Sequence, residues 1–416
     1  MNYYQQDMPL EKYLKADQGQ IHTIHGPGRL QFILAVRLSL LFVFITCAFV
    51  ATAQVNQEPL DARIIHRPGA FEGSDHRRHL AYEVHLTNLN NSGPLMIKSI
   101  SIFQDLFAAP MATFSKDELM TLLNAEEMPT RGTDLVLQPG KSVVAFLWLT
   151  LLPGAPVPQN LHHIIDFIDK DGKSHTLTGA VTQLDKQPTL SFGAPLRGNI
   201  WFVDEGPGNP KSHHWGSMLE QNKIVTIPQR FAIDFFGLNN AGHAVETSPD
   251  KLNQTPNTQW IGFGANVLAV RDAVVRDMRD GIPDHAPLSP LPEPTDITAR
   301  GLYGNFIVLE VAPNVFVHYA HLQNGSIRVR IGQHVKKGDV LAHLGDSGNA
   351  GGPHLHFHVS DKPTFELSEG IPFVFSTINV LGKTNEGAML DSTSTFHSQS
   401  SAKKNVLPLY NDVVRF

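Results

Sequence analysis

The stretch Gly351-Gly352-Pro353-His354-Leu355-His356-Phe357-His358 alternates imidazole and apolar side chains through its second half. Alternation of this kind is the period of a β-strand, in which residues two apart share a face with ~6.6 Å between their α-carbons. His354, His356 and His358 are thereby predicted to project together, while Leu355, Phe357 and Val359 enter a core. Two imidazoles at that spacing can do two jobs at one centre. One binds a metal while its neighbour meets the water there.

Working outward, Asn314-Val315-Phe316-Val317-His318-Tyr319-Ala320-His321-Leu322 reads as a second strand ending in histidine. Gly332-Gln333-His334-Val335-Lys336-Lys337-Gly338-Asp339 and Gly345-Asp346-Ser347-Gly348 follow as turn-rich segments. Upstream, Arg230-Phe231-Ala232-Ile233-Asp234-Phe235 reads as an apolar strand holding a carboxylate. A buried carboxylate must be paired or bound to a metal. Eleven of the 21 histidines fall between His213 and His358, so the chemistry is sought there.

Composition narrows the class. The chain has 416 residues, 42% of them hydrophobic and 17% charged, which is a globular composition for two or three domains. Its net charge of −6 offers no global basic field for nucleic acid, and no nucleic-acid partner is expected. The single cysteine, Cys47, excludes thiolate zinc fingers and disulfide scaffolds but leaves open a histidine and carboxylate metal site. Residues 38–50 form an apolar run preceded by Arg29 and Arg37 and followed by Ala51-Thr52-Ala53. That pattern predicts a secretory signal over residues 1–53, cleaved after Ala53, or a membrane anchor where it stays uncleaved. The product is expected in the periplasm or outside the cell, associated with the envelope.

The fold is expected to be all-β. Leu80, Tyr82, Val84 and Leu86 alternate with Glu83, His85 and Thr87, a half-buried strand with its polar face outward. Residues 96–103 and 143–151 read as further strands, and Asp169-Lys170-Asp171-Gly172 as a hairpin loop. Ser115 with Glu118 three residues on reads as a capping box opening a helix. Residues 55–186 are accordingly predicted to form an accessory β-sandwich of immunoglobulin-like type. Within it, His162 and His163 are assigned to surface or packing. A linker around Gln187-Pro188 leads to a second β-rich domain, residues 195–383. Residues 384–416, rich in Ser and Thr, are expected to be a flexible tail.

The assembly of motifs resembles the lysostaphin-type, LytM-like zinc metallopeptidases (metallopeptidase family twenty-three) across roughly residues 198–383. Tyr319-Ala320-His321-Leu322, the run from Gly332 to Gly338, and Gly348 through Phe357 carry the resemblance. It implies a β-sheet core and an exported zinc endopeptidase that hydrolyses peptidoglycan stem or cross-bridge peptides with a zinc-activated water. Position by position, it implies Asp234 and His356 as zinc ligands. His354 and His321 become the catalytic pair flanking the water, with His354 as general base. His358 supports the site, and His318, His334 and His343 are surface or packing residues. One position departs from the pattern: Arg230 stands where the usual first ligand, a histidine, is expected, and a guanidinium cannot bind zinc. Gln229-Arg230-Phe231-Ala232-Ile233-Asp234 instead fits a variant motif preceded by a loop histidine. His213 is the expected replacement ligand, with His214 next and His243 third. Arg230 is then a strand residue that pairs with a carboxylate near the groove. The alternative is a metal-free, inactive module that binds cell wall or regulates other hydrolases.

Overall fold

The computed structural model describes residues 58–123, 130–131, 134–222, 224–290 and 299–416. The expected signal segment, with Cys47, lies outside them. Strands dominate and helices are short, as an all-β chain requires. Among the described residues no helix is long and apolar enough to cross a membrane.

The N-terminal lobe is two antiparallel sheets around one apolar cluster. In the first sheet the long strand Arg78–Asn88 pairs with Leu60–Arg63, Phe71–Glu72 and Ser142–Thr150. In the second, Leu95–Gln104 pairs with Ala112–Ser115, Asp134–Leu137 and Asn160–Ile168, and the last of these pairs with Ser174–Gln183. Leu80, Tyr82, Val84 and Leu86 meet Ile97, Ile100, Leu161 and Ile165 in the space between. The period-two reading of these strands is correct. The capping box is not: Ser115 stands at the N-cap of Lys116–Leu122 without a side-chain cap hydrogen bond.

The outer face of Arg78–Asn88 corrects a second expectation. Its polar residues do not all meet solvent, because the C-terminal lobe covers them, and Glu83 is only 4% exposed. Phe71, Ala81, Val144 and Phe146 of the sandwich join Trp215, Phe231, Phe235 and Phe357 in one core cluster. Residues 57–416 accordingly form a single compact unit. The expected linker is itself part of the packing, since Leu190–Phe192 pairs in parallel with Phe373–Phe375.

The C-terminal lobe is built on a ten-stranded sheet. Its order is His334–Val335, Ala273–Arg279, Phe306–Ala312, Val315–Ala320, His354–Ser360, Ile233–Leu238, Ile200–Asp204, Asp412–Arg415, Ile378–Lys383 and Ser401–Lys403. Leu355, Phe357 and Val359 enter the core from the histidine strand as its alternation predicts. Burying side chains of that size contributes roughly 1.5–3 kcal/mol each. The expectation of a flexible tail fails. Asp412–Arg415 sits inside the sheet, with Val413 and Val414 fully buried, because two adjacent valines in an interior strand each find a covered face. The Ser- and Thr-rich composition of residues 384–401 conceals this. Even there, Glu386–Leu390 is a helix whose Asn385 side chain accepts from the Ala388 N–H at 3.0 Å.

Candidate metal centre

Register brings the acid and the histidines together. The Ile233–Leu238 strand pairs Asp234 with His356 on one side and with Asp204 on the other, and Ala320 lies across from His356 on the next strand. Cross-strand partners share a face, so Asp234 and His356 must meet. His356 Nδ1 lies 3.0 Å from Asp234 Oδ1, and His354 Nε2 lies 3.4 Å from the same oxygen. His214 Nε2 lies 3.5 Å from Asp234 Oδ2. Three imidazole nitrogens therefore converge on one buried carboxylate.

The ring orientations follow from what holds the other nitrogens. Assigning each proton from its hydrogen bond, His354 Nδ1–H donates to the Gly352 carbonyl at 2.8 Å, and His321 Nδ1–H to the Ser347 carbonyl at 2.8 Å. Both rings thereby turn their Nε2 atoms toward the cluster, and their centroids are 4.7 Å apart. His354 also stacks on Phe236. His321 follows the end of its strand with φ +60°. The Ser347 carbonyl that steers it depends on a close backbone crossing. A Cβ on Gly348, whose φ is +77°, would come within 2.4 Å of Gly304 N. His356 turns its Nε2 to His358 Nδ1 at 2.9 Å, and His358 Nε2 reaches the Tyr303 hydroxyl at 3.2 Å. His358 is fully buried and stacks on His318, so both support the centre from behind.

The two neighbouring loop histidines divide. Both lie in the single-turn helix His213–Gly216, capped by Ser212, whose Oγ accepts from the His214 N–H. His214 is buried, and its Nδ1–H donates to the Glu205 carbonyl at 3.1 Å, which aims Nε2 at Asp234. Its ring is 4.7 Å from that of His356. His213, the expected third ligand, has its side chain 66% exposed, with Nδ1 3.3 Å from a Glu205 carboxylate oxygen. One donor atom each from His213, His214 and Asp234 still fall within 4.8 Å of one another. His243 is elsewhere, with Nε2 at 3.0 Å from the Ser394 carbonyl. His343 contacts Arg328 and the Gly264 carbonyl, away from the cluster.

Charge follows geometry. Burial opposes a charge on His354, but the adjacent Asp234 carboxylate outweighs it and pushes the imidazole up to about 8. Burial and the neighbouring imidazoles hold His321 below the ordinary histidine value. Asp204, half-buried and facing the Asp234 charge, is pushed up to about 7 by desolvation first and that charge second. Imidazole nitrogens and a carboxylate oxygen around a pocketed acid are the donors that zinc takes, and each ring's second nitrogen has a partner of the kind that fixes a ligand. The residues present fit a zinc ion.

Sequence reasoning missed Glu205, whose carbonyl and carboxylate orient the two loop histidines, and Tyr303 behind His358. Neither sits in a periodic pattern that points to the centre. Arg230 also differs from its expectation. It lies in a turn ahead of the strand, which begins only at Ile233. There its guanidinium is paired with carboxylates, as expected, at Glu83 and Glu369.

Comparison with known proteins agrees with the motif reading. Residues 262–365 match the model of Peptidase family M23, a span that contains His321, His354 and His356. No curated protein matches the chain. Similar solved structures include the catalytic domain of the prophage-encoded M23 protein EnpA from Enterococcus faecalis, 18% identical over 42% of this chain and 88% of that one, with a TM-score of 0.22. The catalytic domain of the antimicrobial peptidase lysostaphin from Staphylococcus simulans is 17% identical over 44% and 88%, with a TM-score of 0.21. A zinc containing peptidase from Vibrio cholerae is 14% identical over 70% and 81%, also at 0.21. Within the C-terminal lobe, residues 262–365 are thus similar to M23 peptidases.

Proposed function

We propose that the chain is an exported zinc endopeptidase that hydrolyses peptide cross-links of bacterial peptidoglycan. The observation that carries this reading is the convergence of His214, His354 and His356 on Asp234, at 3.0–3.5 Å, with His354 and His356 drawn from the region similar to M23 peptidases. Asp234, His356 through Nδ1 and His214 through Nε2 would hold the ion. His214 takes the place in the ligand set first expected of His213, because it is the one that is buried and aimed.

When bound, zinc supplies Lewis-acid polarisation of the scissile carbonyl and makes water acidic enough to ionise near neutral pH. Against burial, Asp234 holds His354 up at about 8, and an ion on that carboxylate would offset its charge. His354, with its Nδ1–H tied to the Gly352 carbonyl, would then offer Nε2 to take the proton of the attacking water and return it to the leaving amine. His321 offers a second bare Nε2 that accepts a hydrogen bond from that water and fixes its direction. Burial keeps His321 neutral for this role.

The peptidoglycan substrate rests on the M23 likeness, and export rests on the signal pattern of residues 1–53. The metal-free alternative drew on Arg230 alone, and its guanidinium is occupied by Glu83 and Glu369. Elemental analysis of the purified mature chain, from Gln54, and incubation with purified peptidoglycan test the reading. About one zinc per chain, at a site of three protein ligands, and release of new amino termini are expected. A chain that stays zinc-free after reconstitution and frees no termini overturns it.

A further inference from the structure

Among the described residues the sandwich lobe contributes none to the cluster around Asp234, yet it places one buried carboxylate against both segments that lead there. Glu83 Oε1 accepts from the Trp215 indole N–H at 2.7 Å and from Arg230 Nε at 2.8 Å, and Oε2 accepts from Arg230 Nη2 at 2.8 Å. Trp215 adjoins His214 in the single-turn helix. Arg230 stands four residues before Asp234, in the turn that delivers the chain to the aspartate strand.

The remaining valences close the same knot. Arg230 Nη1 donates to the Gly370 carbonyl at 3.2 Å and pairs with Glu369 Oε2 at 2.8 Å. Glu369 Oε1 accepts the Ile227 N–H at the start of that turn and meets His66 of the sandwich at 2.8 Å. Around these polar groups the interface is aromatic, with Phe71 against Phe231 and both Phe146 and Trp148 against Trp215.

An interface serving stability alone gains little from such a group. Buried ion pairs are often replaced by apolar residues without loss, because desolvation offsets their attraction. What a bidentate carboxylate does supply is fixed geometry, since a planar guanidinium and an indole N–H donate to it in only one orientation. We infer that Glu83 is a positioning residue for the metal centre, holding the His214 helix and the Asp234 strand in register from the neighbouring lobe. The inference rests on the zinc reading above.

The test uses the full mature chain and a zinc affinity, read by competition with a chromophoric chelator at a temperature where circular dichroism shows every variant folded. Glu83→Gln keeps an acceptor for the indole but loses the bidentate charge pair, and it should weaken zinc about 10–100-fold, the usual effect of losing a residue that orients ligands. Trp215→Phe keeps the buried ring and removes only the N–H; it should weaken zinc about 10-fold, the low end of that range, and it decides the matter if Glu83→Gln does not fold. Val144→Ala is the control: it thins the same interface without touching the carboxylate, and it should bind zinc as the parent does. Parent-like zinc affinity in the Glu83 and Trp215 variants overturns the inference, as does a loss in Val144→Ala equal to that of Glu83→Gln. A parent that binds no zinc overturns the zinc reading and this inference with it, an outcome distinct from the other two.

Discussion

The proposed function divides Asp234 and the four imidazoles near it into groups that would hold an ion and groups that would move a proton, and single substitutions separate them. Asp234→Ala and His356→Ala should each abolish zinc binding, because each removes a ligand from a set of three. His354→Ala should retain zinc and lose turnover by ~10²–10⁴, the usual contribution of a general base. Hydrolysis by that variant at the parent rate would sink the assignment of His354. The loop pair gives a second test: His214→Ala should lose zinc while His213→Ala keeps it, as measured by elemental analysis, and the reverse result would return the ligand role to His213. At this scale the sequence was legible wherever a periodic strand carried the residue. His354 and His356 share a face by alternation, and the carboxylate in an apolar run had to be satisfied. His213 and His214 are adjacent in a loop, where no period says which ring turns inward. The Glu205 carbonyl decides it.

Strands and turns carry their own consequences. In the sandwich, His163 is fully buried and lies in the face that meets the Arg78–Asn88 strand: its Nδ1–H donates to the Ala180 carbonyl at 2.9 Å, and Nε2 accepts from the Tyr82 hydroxyl at 2.8 Å. Burial lowers its pKa to about 4 against 6.5 for an ordinary histidine. The unfolded chain therefore binds the proton first as pH falls. This stabilisation is full above about pH 6.5 and fades toward pH 4, with on the order of 2 kcal/mol gone by pH 5. Urea midpoints at pH 7.5 and 5 should fall further apart in the parent than in His163→Gln. Equal pH dependence in the two would place the titrating group elsewhere. In the other lobe, Gly348→Ala should cost turnover while leaving zinc bound, because a Cβ there forces apart the crossing that presents the Ser347 carbonyl to His321. Alternation revealed which face of Arg78–Asn88 enters the sandwich. It could not reveal that the opposite face is also covered, since a carboxylate paired across an interface looks in sequence like one facing water. The residues after 384 misled for a related reason, because a four-residue strand is too short to register against a Ser- and Thr-rich background.

Across the whole molecule, one apolar cluster runs from the first sheet of the sandwich into the ten-stranded sheet. The two lobes should therefore unfold in a single denaturant transition, read alike by far-ultraviolet dichroism and tryptophan emission. Glu83→Ala removes one of the two carboxylates that pair with the buried Arg230 and should lower stability by ~3 kcal/mol, the low end for breaking a buried pair, shifting that one midpoint. A separate early transition for the sandwich would contradict the shared core. Composition and motif order conveyed two β-rich regions and an M23-like second half, but the regions were read as beads on a linker. The contact between Glu83 and Arg230 joins positions 147 residues apart, and no local pattern reports on such a pair. Its meaning reaches beyond this chain. A crossover that carried only the peptidase half into another protein would import an arginine left with Glu369 but stripped of the bidentate Glu83, and a half that kept only the sandwich would carry a buried carboxylate with no guanidinium to meet it. Exchange of either half should therefore succeed only when both travel together or when both ends of the pair are rewritten at once.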